Sequence, residues 1–294
     1  MVAIVLNPTS GVMQRPSVRQ EIDDLFREAG IDAHMRAVAN PDDTPATARA
    51  ALDGNPTVLV AAGGDGTVSA VAGAVAGTST PMGVLPLGTL NHFAKDAGLP
   101  LDLKRAVQTI AEGHTRQVDV GRVNDRIFVN NASLGVYPSF VESRDRFIDQ
   151  GRWKASAVAL ALADVLSREG EMVIRLQGDC ARVLARTPFV FVGNNEYRSE
   201  GLSMGGRTRL DAGRLFAYFA PPVRTRDLPR LFRQAVFGRA RRDRALQSMA
   251  ATEMWVDTFT PAIRVACDGE VLTLSSPLYC QSWPRALTLL CPRG

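Results

Sequence analysis

Residues Thr57–Gly77 read TVLVAAGGDGTVSAVAGAVAG, and the fold turns on how this stretch is read. Thr57–Ala62 is an unbroken apolar run of strand length. Three glycines follow, interleaved with Asp65 and Thr67 as Gly63-Gly64-Asp65-Gly66-Thr67, and then come small residues suited to a helix. A strand, a glycine turn and a helix in that order expose unpaired backbone N–H groups beside the positive end of a helix dipole. Glycine also lets an anion approach the main chain closely. The block reads as a phosphate cradle for a nucleotide. Gly63, Gly64 and Gly66 offer backbone, the Thr67 hydroxyl donates to a phosphate, and Asp65 holds a Mg²⁺ that bridges phosphates. The plainer alternative is a strand–turn–helix corner in which Asp65 is only a turn residue.

Working outward, the N-terminal third alternates strands and helices. Val2–Leu6 is a buried strand, and Val18, Ile22, Leu25, Phe26 and Ala29 recur at helical spacing. A second strand is expected over Asp32–Val38 and a fourth over Met82–Leu85. Thr44-Pro45 marks a helix start, with a hydroxyl cap and proline at the first helical position. This alternation implies βαβ units and a parallel sheet. In such a sheet the loops at the carboxyl ends of the strands share one rim. Asn7-Pro8-Thr9-Ser10-Gly11 follows the first strand and Pro86-Leu87-Gly88-Thr89-Leu90-Asn91 the fourth, so both join the glycine turn there. Asn7, Pro8, Thr9, Ser10 and Gly11 are candidate nucleotide contacts, as are Thr89 and Asn91 through hydrogen bonds to phosphate or ribose.

The pattern changes after a helix at about Leu103–Ala111. Gln117–Val123 and Arg126–Asn131 flank an Asn124-Asp125 turn, and short strands follow at Met172–Leu176, Ala181–Ala185, Phe189–Gly193, Arg214–Ala220, Ala262–Cys267 and Val271–Leu274. Helical stretches interrupt them near Trp153–Ser167 and Asp227–Phe237. The expectation is an α/β domain over 1–117 and an antiparallel β-sandwich over 118–282. The composition, 46% hydrophobic and 22% charged with a net charge of +4, is that of an ordinary soluble globular protein. The four widely spaced cysteines suit a reduced, cytoplasmic protein rather than a disulfide framework. Val2–Leu6 runs straight into Asn-Pro and lacks the features of a signal peptide. Gly66–Phe93 has no Asp, Glu, Lys or Arg, but Pro81, Pro86 and its glycines argue against a spanning helix.

NPTSG, GGDGTV and PLGTLNHFAKDAGLP, in this order and spacing, resemble the catalytic-domain signature of the diacylglycerol kinase and sphingosine kinase superfamily, particularly its soluble bacterial lipid kinases. The similarity continues through VNNASLGVYP (Val129–Pro138), VGNNEY (Val192–Tyr197), LDAGRL (Leu210–Leu215) and CDGE (Cys267–Glu270). It implies an NAD-kinase-like α/β domain plus a β-sandwich, with ATP and Mg²⁺ in the cleft and residues 283–294 returning to the first domain. Asp268-Gly269 reads on its own as a tight hairpin turn. The resemblance adds that Glu270 matches the family's general base, while Asp65 serves the phosphates. Two departures stand out. His92 falls where the family often has an acid after GTxN, and Ala212 falls where a structural Mg²⁺ ligand is expected, leaving Asp211 as a shifted candidate.

Arg224–Arg244 interleaves eight arginines with Leu228, Leu231, Phe232, Val236 and Phe237. Such a helix suits transient contact with an anionic membrane surface, or is simply a solvated charged face. Trp153, beside Arg152 and Lys154, is either a core-packing residue or a second interfacial anchor. No recognition motif accompanies the arginines, so no nucleic-acid partner is expected. The leading expectation is an ATP-dependent kinase of a diacylglycerol-like or sphingoid lipid. An NAD-kinase-like enzyme and a non-catalytic nucleotide- or membrane-binding regulator are the alternatives.

Overall fold

The computed structural model describes residues 1–8, 17–135, 171–200, 203–219 and 247–293. The helices expected near Trp153–Ser167 and Asp227–Phe237 lie outside the described residues, as do Thr9, Ser10, Gly11 and the arginine-rich segment 224–244.

The first half is built on four parallel strands: β1 (Val2–Leu6), β2 (Ala33–Ala37), β3 (Val58–Gly63) and β4 (Met82–Pro86), in the order β2-β1-β3-β4. Continuous apolar sequence makes β1 and β4 buried at every position. Strands of that kind need helices on both faces. Val18, Ile22 and Phe26 of α1 (Val18–Glu28) and Ala106, Val107 and Ile110 of α5 (Leu103–Glu112) cover Ile4, Leu6, Val60 and Ala62. On the other face, Ala48 and Ala51 of α2 (Thr44–Leu52) join Val68, Val71, Ala72 and Val75 of α3 (Asp65–Val75) over Ala3, Val5, Leu59 and Ala61. The expected Thr44 cap is corrected. Thr44 is the first helical residue, and its hydroxyl donates 2.6 Å back to the Pro41 carbonyl instead of capping the helix. A short α4 (His92–Asp96) closes the loop after β4.

The second half is antiparallel. β5 (Thr115–Val123) and β6 (Arg126–Phe128) form a hairpin, with Val123 opposite Arg126 across the Asn124-Asp125 turn. Then come β7 (Asn131–Gly135), β8 (Met172–Gly178), β9 (Arg182–Thr187), β10 (Phe189–Asn194), β11 (Tyr197–Glu200) and β12 (Ser203–Arg207). The chain continues through β13 (Leu215–Phe219), β14 (Gln247–Ala251), β15 (Glu253–Asp257), β16 (Ala262–Cys267), β17 (Glu270–Ser275) and β18 (Leu278–Leu290). One sheet runs β14-β13-β10-β7-β16-β17. It packs Leu134, Val190, Val192, Leu215 and Val265 against Ile174, Leu176, Met254, Val256 and Leu278 of the other, which makes a sandwich core.

That other sheet is continuous with the parallel one. β18 is 13 residues long; Tyr279 pairs with Trp255, while Leu289 pairs in parallel with Met82 of β4. It follows β5 from Cys280 opposite Val123 to Leu290 opposite Thr115. Residues 117 and 283 therefore fall inside paired strands rather than in linkers. At the irregularity between Trp283 and Leu287, the buried Asp119 carboxylate accepts from the Arg285 N–H at 2.9 Å and the Gly213 N–H at 2.6 Å. All four cysteines are free, and burial pushes the Cys280 thiol up to about 12. Among the described residues, no helix is long and apolar enough to cross a membrane.

Candidate active site

The carboxyl ends of β1, β3 and β4 lie at one edge, as the parallel registers require: Leu6 is opposite Ala62, and Gly63 is opposite Pro86. The Asn7 N–H donates 3.0 Å to the Ala62 carbonyl, which brings Asn7-Pro8 beside the glycine turn. The Leu87 N–H reaches the Gly63 carbonyl at 2.9 Å. The two glycine loops touch main chain to main chain: a Cβ on Gly88 would stand 2.5 Å from the Gly64 Cα. Only glycine permits that approach. Thr67 turns its hydroxyl back into the hollow left by Gly63, where a Cβ would meet Oγ1 at 2.3 Å. That oxygen is buried and has no hydrogen-bond partner among the described residues.

Asp65 has a role that sequence reasoning missed. Its Oδ2 accepts from the His92 N–H and its Oδ1 from the Phe93 N–H, both at 3.1 Å, so it caps α4 from a different loop. His92 contributes its main chain there, and its side chain is exposed. Each Asp65 oxygen spends one lone pair on the cap and keeps another. The Asn91 side chain holds its own loop. Its Oδ1 accepts from the Gly88 N–H at 3.0 Å, and its Nδ2 donates to the Pro86 and Gly88 carbonyls at 3.3 and 2.8 Å. Both amide protons are spent on holding the loop, so the group does not present them to a ligand. Thr89 is exposed on the same loop.

The apolar residues of α3 at helical spacing face the sheet, which turns the stripe Gly66, Ser69, Ala70, Gly73 and Ala74 outward. This stripe floors a cleft of about 410 Å³. A Cβ on Gly66 or Gly73 would meet nothing within 4 Å. Pro45 and Arg49 of α2, Asp125, Arg126 and Ile127 of the β5–β6 hairpin, and Cys267, Asp268, Glu270 and Leu272 complete the lining. The cleft thus joins Gly66 of the cradle to Glu270.

What holds Glu270 there is its neighbour. Cys267 pairs with Glu270 across a two-residue turn in which Asp268 and Gly269 take φ of 48° and 93°, the positive values of a tight hairpin. The Asp268 Oδ2 accepts from the Ser69 hydroxyl at 2.6 Å and the Val129 N–H at 2.7 Å. Its Oδ1 accepts from the N–H groups of Asn130 and Asn131 at 2.8 and 3.0 Å. Burial raises the Asp268 pKa, against the pull of these four donors. The turn is thereby tied both to α3 and to the link between β6 and β7. The Glu270 carboxylate is exposed and makes no hydrogen bond or ion pair with a described residue.

A second tie joins the PLGTLNHFAKD segment to the sandwich. The Arg207 guanidinium is fully buried, and its Nε donates to Asp96 Oδ2 at 2.7 Å. Its remaining nitrogens donate to the Val129 carbonyl (2.6 Å), the Asn194 carbonyl (3.1 Å) and Asn130 Oδ1 (2.7 Å). Nothing in residue spacing marks Arg207, because its partners lie in three separate segments. Asp211 does not line the cleft. It is exposed and pairs with Arg209 at 3.1 Å, which holds its carboxyl below the usual range. Beside it, the Ala212 N–H donates to Asn195 Oδ1 at 2.8 Å.

Comparison with known proteins meets this geometry at the cradle. Residues 1–123 match the diacylglycerol kinase catalytic domain. A diacylglycerol kinase of Staphylococcus saprophyticus is 35% identical over 134 residues, 45% of this chain and 44% of that protein. One from Staphylococcus aureus is 36% identical over 137 residues, 45% and 42% respectively. These matches span less than half the length of either relative. Likeness of fold extends further. A solved structure of a diacylglycerol kinase from Bacillus anthracis superposes with a TM-score of 0.70 at 17% identity, covering 99% of this chain and 96% of that one. Another chain from the same organism reaches 0.77 at 19%, covering 99% and 95%. The α/β sheet and antiparallel sandwich are thus a diacylglycerol kinase-like architecture.

Proposed function

We propose that this protein is a lipid kinase that transfers the γ-phosphate of ATP to a hydroxyl of a diacylglycerol-like or sphingoid lipid. The observation that carries the reading is that one cleft is lined by both Gly66, at the start of α3, and the Glu270 carboxylate, which has no partner among the described residues. ATP places its phosphates on the backbone of Gly63, Gly64 and Gly66, with Asn7 and Pro8 at the adjoining strand end and Thr9, Ser10 and Gly11 beyond. Thr67 lies beneath this turn with an unspent hydroxyl, and Thr89 stands on the neighbouring loop. The acceptor enters over Ala70, Ala74, Ile127 and Leu272, small and apolar residues suited to the aliphatic part of a lipid. Glu270 takes the proton from the acceptor hydroxyl as its oxygen attacks the γ-phosphorus, and ADP leaves with the bridging oxygen. General-base help of this kind is worth about 10²- to 10⁴-fold in rate.

Asp65 fits Mg²⁺ because each oxygen keeps a lone pair, and Mg²⁺ in kinases is commonly held by one or two carboxylates together with substrate phosphates. When bound, the ion neutralises charge on the transferring phosphoryl group. The acceptor is membrane-borne, so the protein works at a membrane surface from the cytoplasm.

Incubation with γ-labelled ATP and either extracted membrane lipids or NAD separates the two enzyme readings. Label is expected in lipid. Label in NADP alone replaces this reading with that of an NAD kinase, and no label in either product leaves the regulator.

A further inference from the structure

Two cleft side chains have no part in the reaction as described. Arg49 comes from α2 and Arg126 from the first position of β6, and both line the cleft that holds Gly66 and Glu270. Their elements each pack on α3, the floor of the cleft. Both residues are exposed, and neither guanidinium has an ion-pair or hydrogen-bond partner among the described residues. The local carboxylates do not neutralise them. Asp268 is fully engaged by Ser69 and three backbone N–H groups, and Asp125 and Glu270 lie on the same lining without forming a pair with either arginine. Arg207 shows the opposite case in this molecule, a guanidinium with its donors spent on protein acceptors.

A guanidinium stays charged at any working pH and presents a planar fork of donors that matches phosphate oxygens. Two such forks from separate elements on one cleft form a receptor for a phosphate oxyanion. We propose that Arg49 and Arg126 form a phosphate-binding subsite in this cleft, distinct from the glycine turn. The anion has two chemical sources, the γ-phosphate of ATP and a phosphodiester headgroup on the lipid that carries the acceptor hydroxyl. The subsite deepens the kinase reading and relies on it for its role in turnover, but not for anion binding.

The test compares the full chain with Arg49→Gln/Arg126→Gln, substitutions at exposed positions that leave the core untouched. Calorimetric titration with inorganic pyrophosphate needs no turnover. The double variant is expected to bind at least about tenfold more weakly, the loss of one or more charge-assisted hydrogen bonds. Equal affinity overturns the subsite even if the wild type phosphorylates lipids. Kinetics in non-ionic detergent micelles then identify the source, with diacylglycerol or phosphatidylglycerol as the hydroxyl lipid. A raised KM for ATP with both lipids assigns the γ-phosphate. A loss of kcat/KM confined to phosphatidylglycerol assigns the headgroup. If no lipid is phosphorylated but the binding gap persists, the kinase reading falls and the subsite stands.

Discussion

Two turns, Gly63–Thr67 in the parallel half and Asp268–Glu270 in the antiparallel half, solve the same problem in the same way. Each carries an aspartate whose carboxylate accepts from main-chain N–H groups: Asp65 from His92 and Phe93, Asp268 from Val129, Asn130 and Asn131. Each then presents a neighbouring residue to the shared cleft, Gly66 in one and Glu270 in the other. The difference lies in what the aspartate reaches. Asp65 caps a helix within its own half, whereas Asp268 also takes the Ser69 hydroxyl of α3 and so joins the halves. An acidic residue in a glycine turn thus builds the scaffold, and a residue one or two positions on faces the cleft.

Breaking the stronger tie should cost most. Asp268→Ala leaves Ser69 and three main-chain N–H groups without their acceptor, and charge-assisted bonds are worth roughly 1.5–3 kcal/mol each. Urea unfolding should show a loss of at least about 3 kcal/mol, and a loss below about 1 kcal/mol would mean that the turn is held by other contacts. In the metal-free protein Asp65→Ala removes a helix cap, so about 1–2 kcal/mol is expected in the same measurement. A larger loss than for Asp268→Ala would reverse the comparison.

Gly73→Ala sharpens the claim that the α3 stripe is an open floor. The added methyl meets no atom within 4 Å, so stability should rise by about 0.5–1 kcal/mol, as for glycine within a helix. Gly73→Leu should keep the fold and ATP binding but cut kcat/KM for the lipid acceptor at least about tenfold, because its side chain fills the cleft. The smallest effect is expected at Asp211. Its pair with Arg209 is exposed, so Asp211→Asn should melt with the wild type, with or without a chelator. A melting difference that appears only with Mg²⁺ would assign Asp211 as a metal ligand.

Much of this architecture could be read from residue order. The apolar runs of β1, β3 and β4 announce a parallel sheet, and parallel strands carry their carboxyl-end loops to one rim. The Asn124-Asp125 and Asp268-Gly269 turns follow from residues that tolerate positive φ, and Asn124, Asp268 and Gly269 adopt it. What local pattern could not reveal depends on distant partners. Asp65 also accepts from the N–H groups of His92 and Phe93, 27 and 28 residues further on, and the Asn91 amide is held by Pro86 and Gly88. Arg207 and Asp96 are 111 residues apart, and no period links them. The sharing of one sheet by both halves also rests on distant partners, since β18 pairs with β15, β5 and β4.

The central claim is that the cleft brings the acceptor hydroxyl to Glu270 beside phosphates held at the glycine turn. Its most direct test is Glu270→Gln, assayed with the best lipid acceptor at saturating ATP, with ATP binding measured separately. Turnover is predicted to fall about 10²- to 10⁴-fold with ATP affinity and melting midpoint unchanged. Undiminished turnover, or a loss that tracks lost ATP binding, would contradict it.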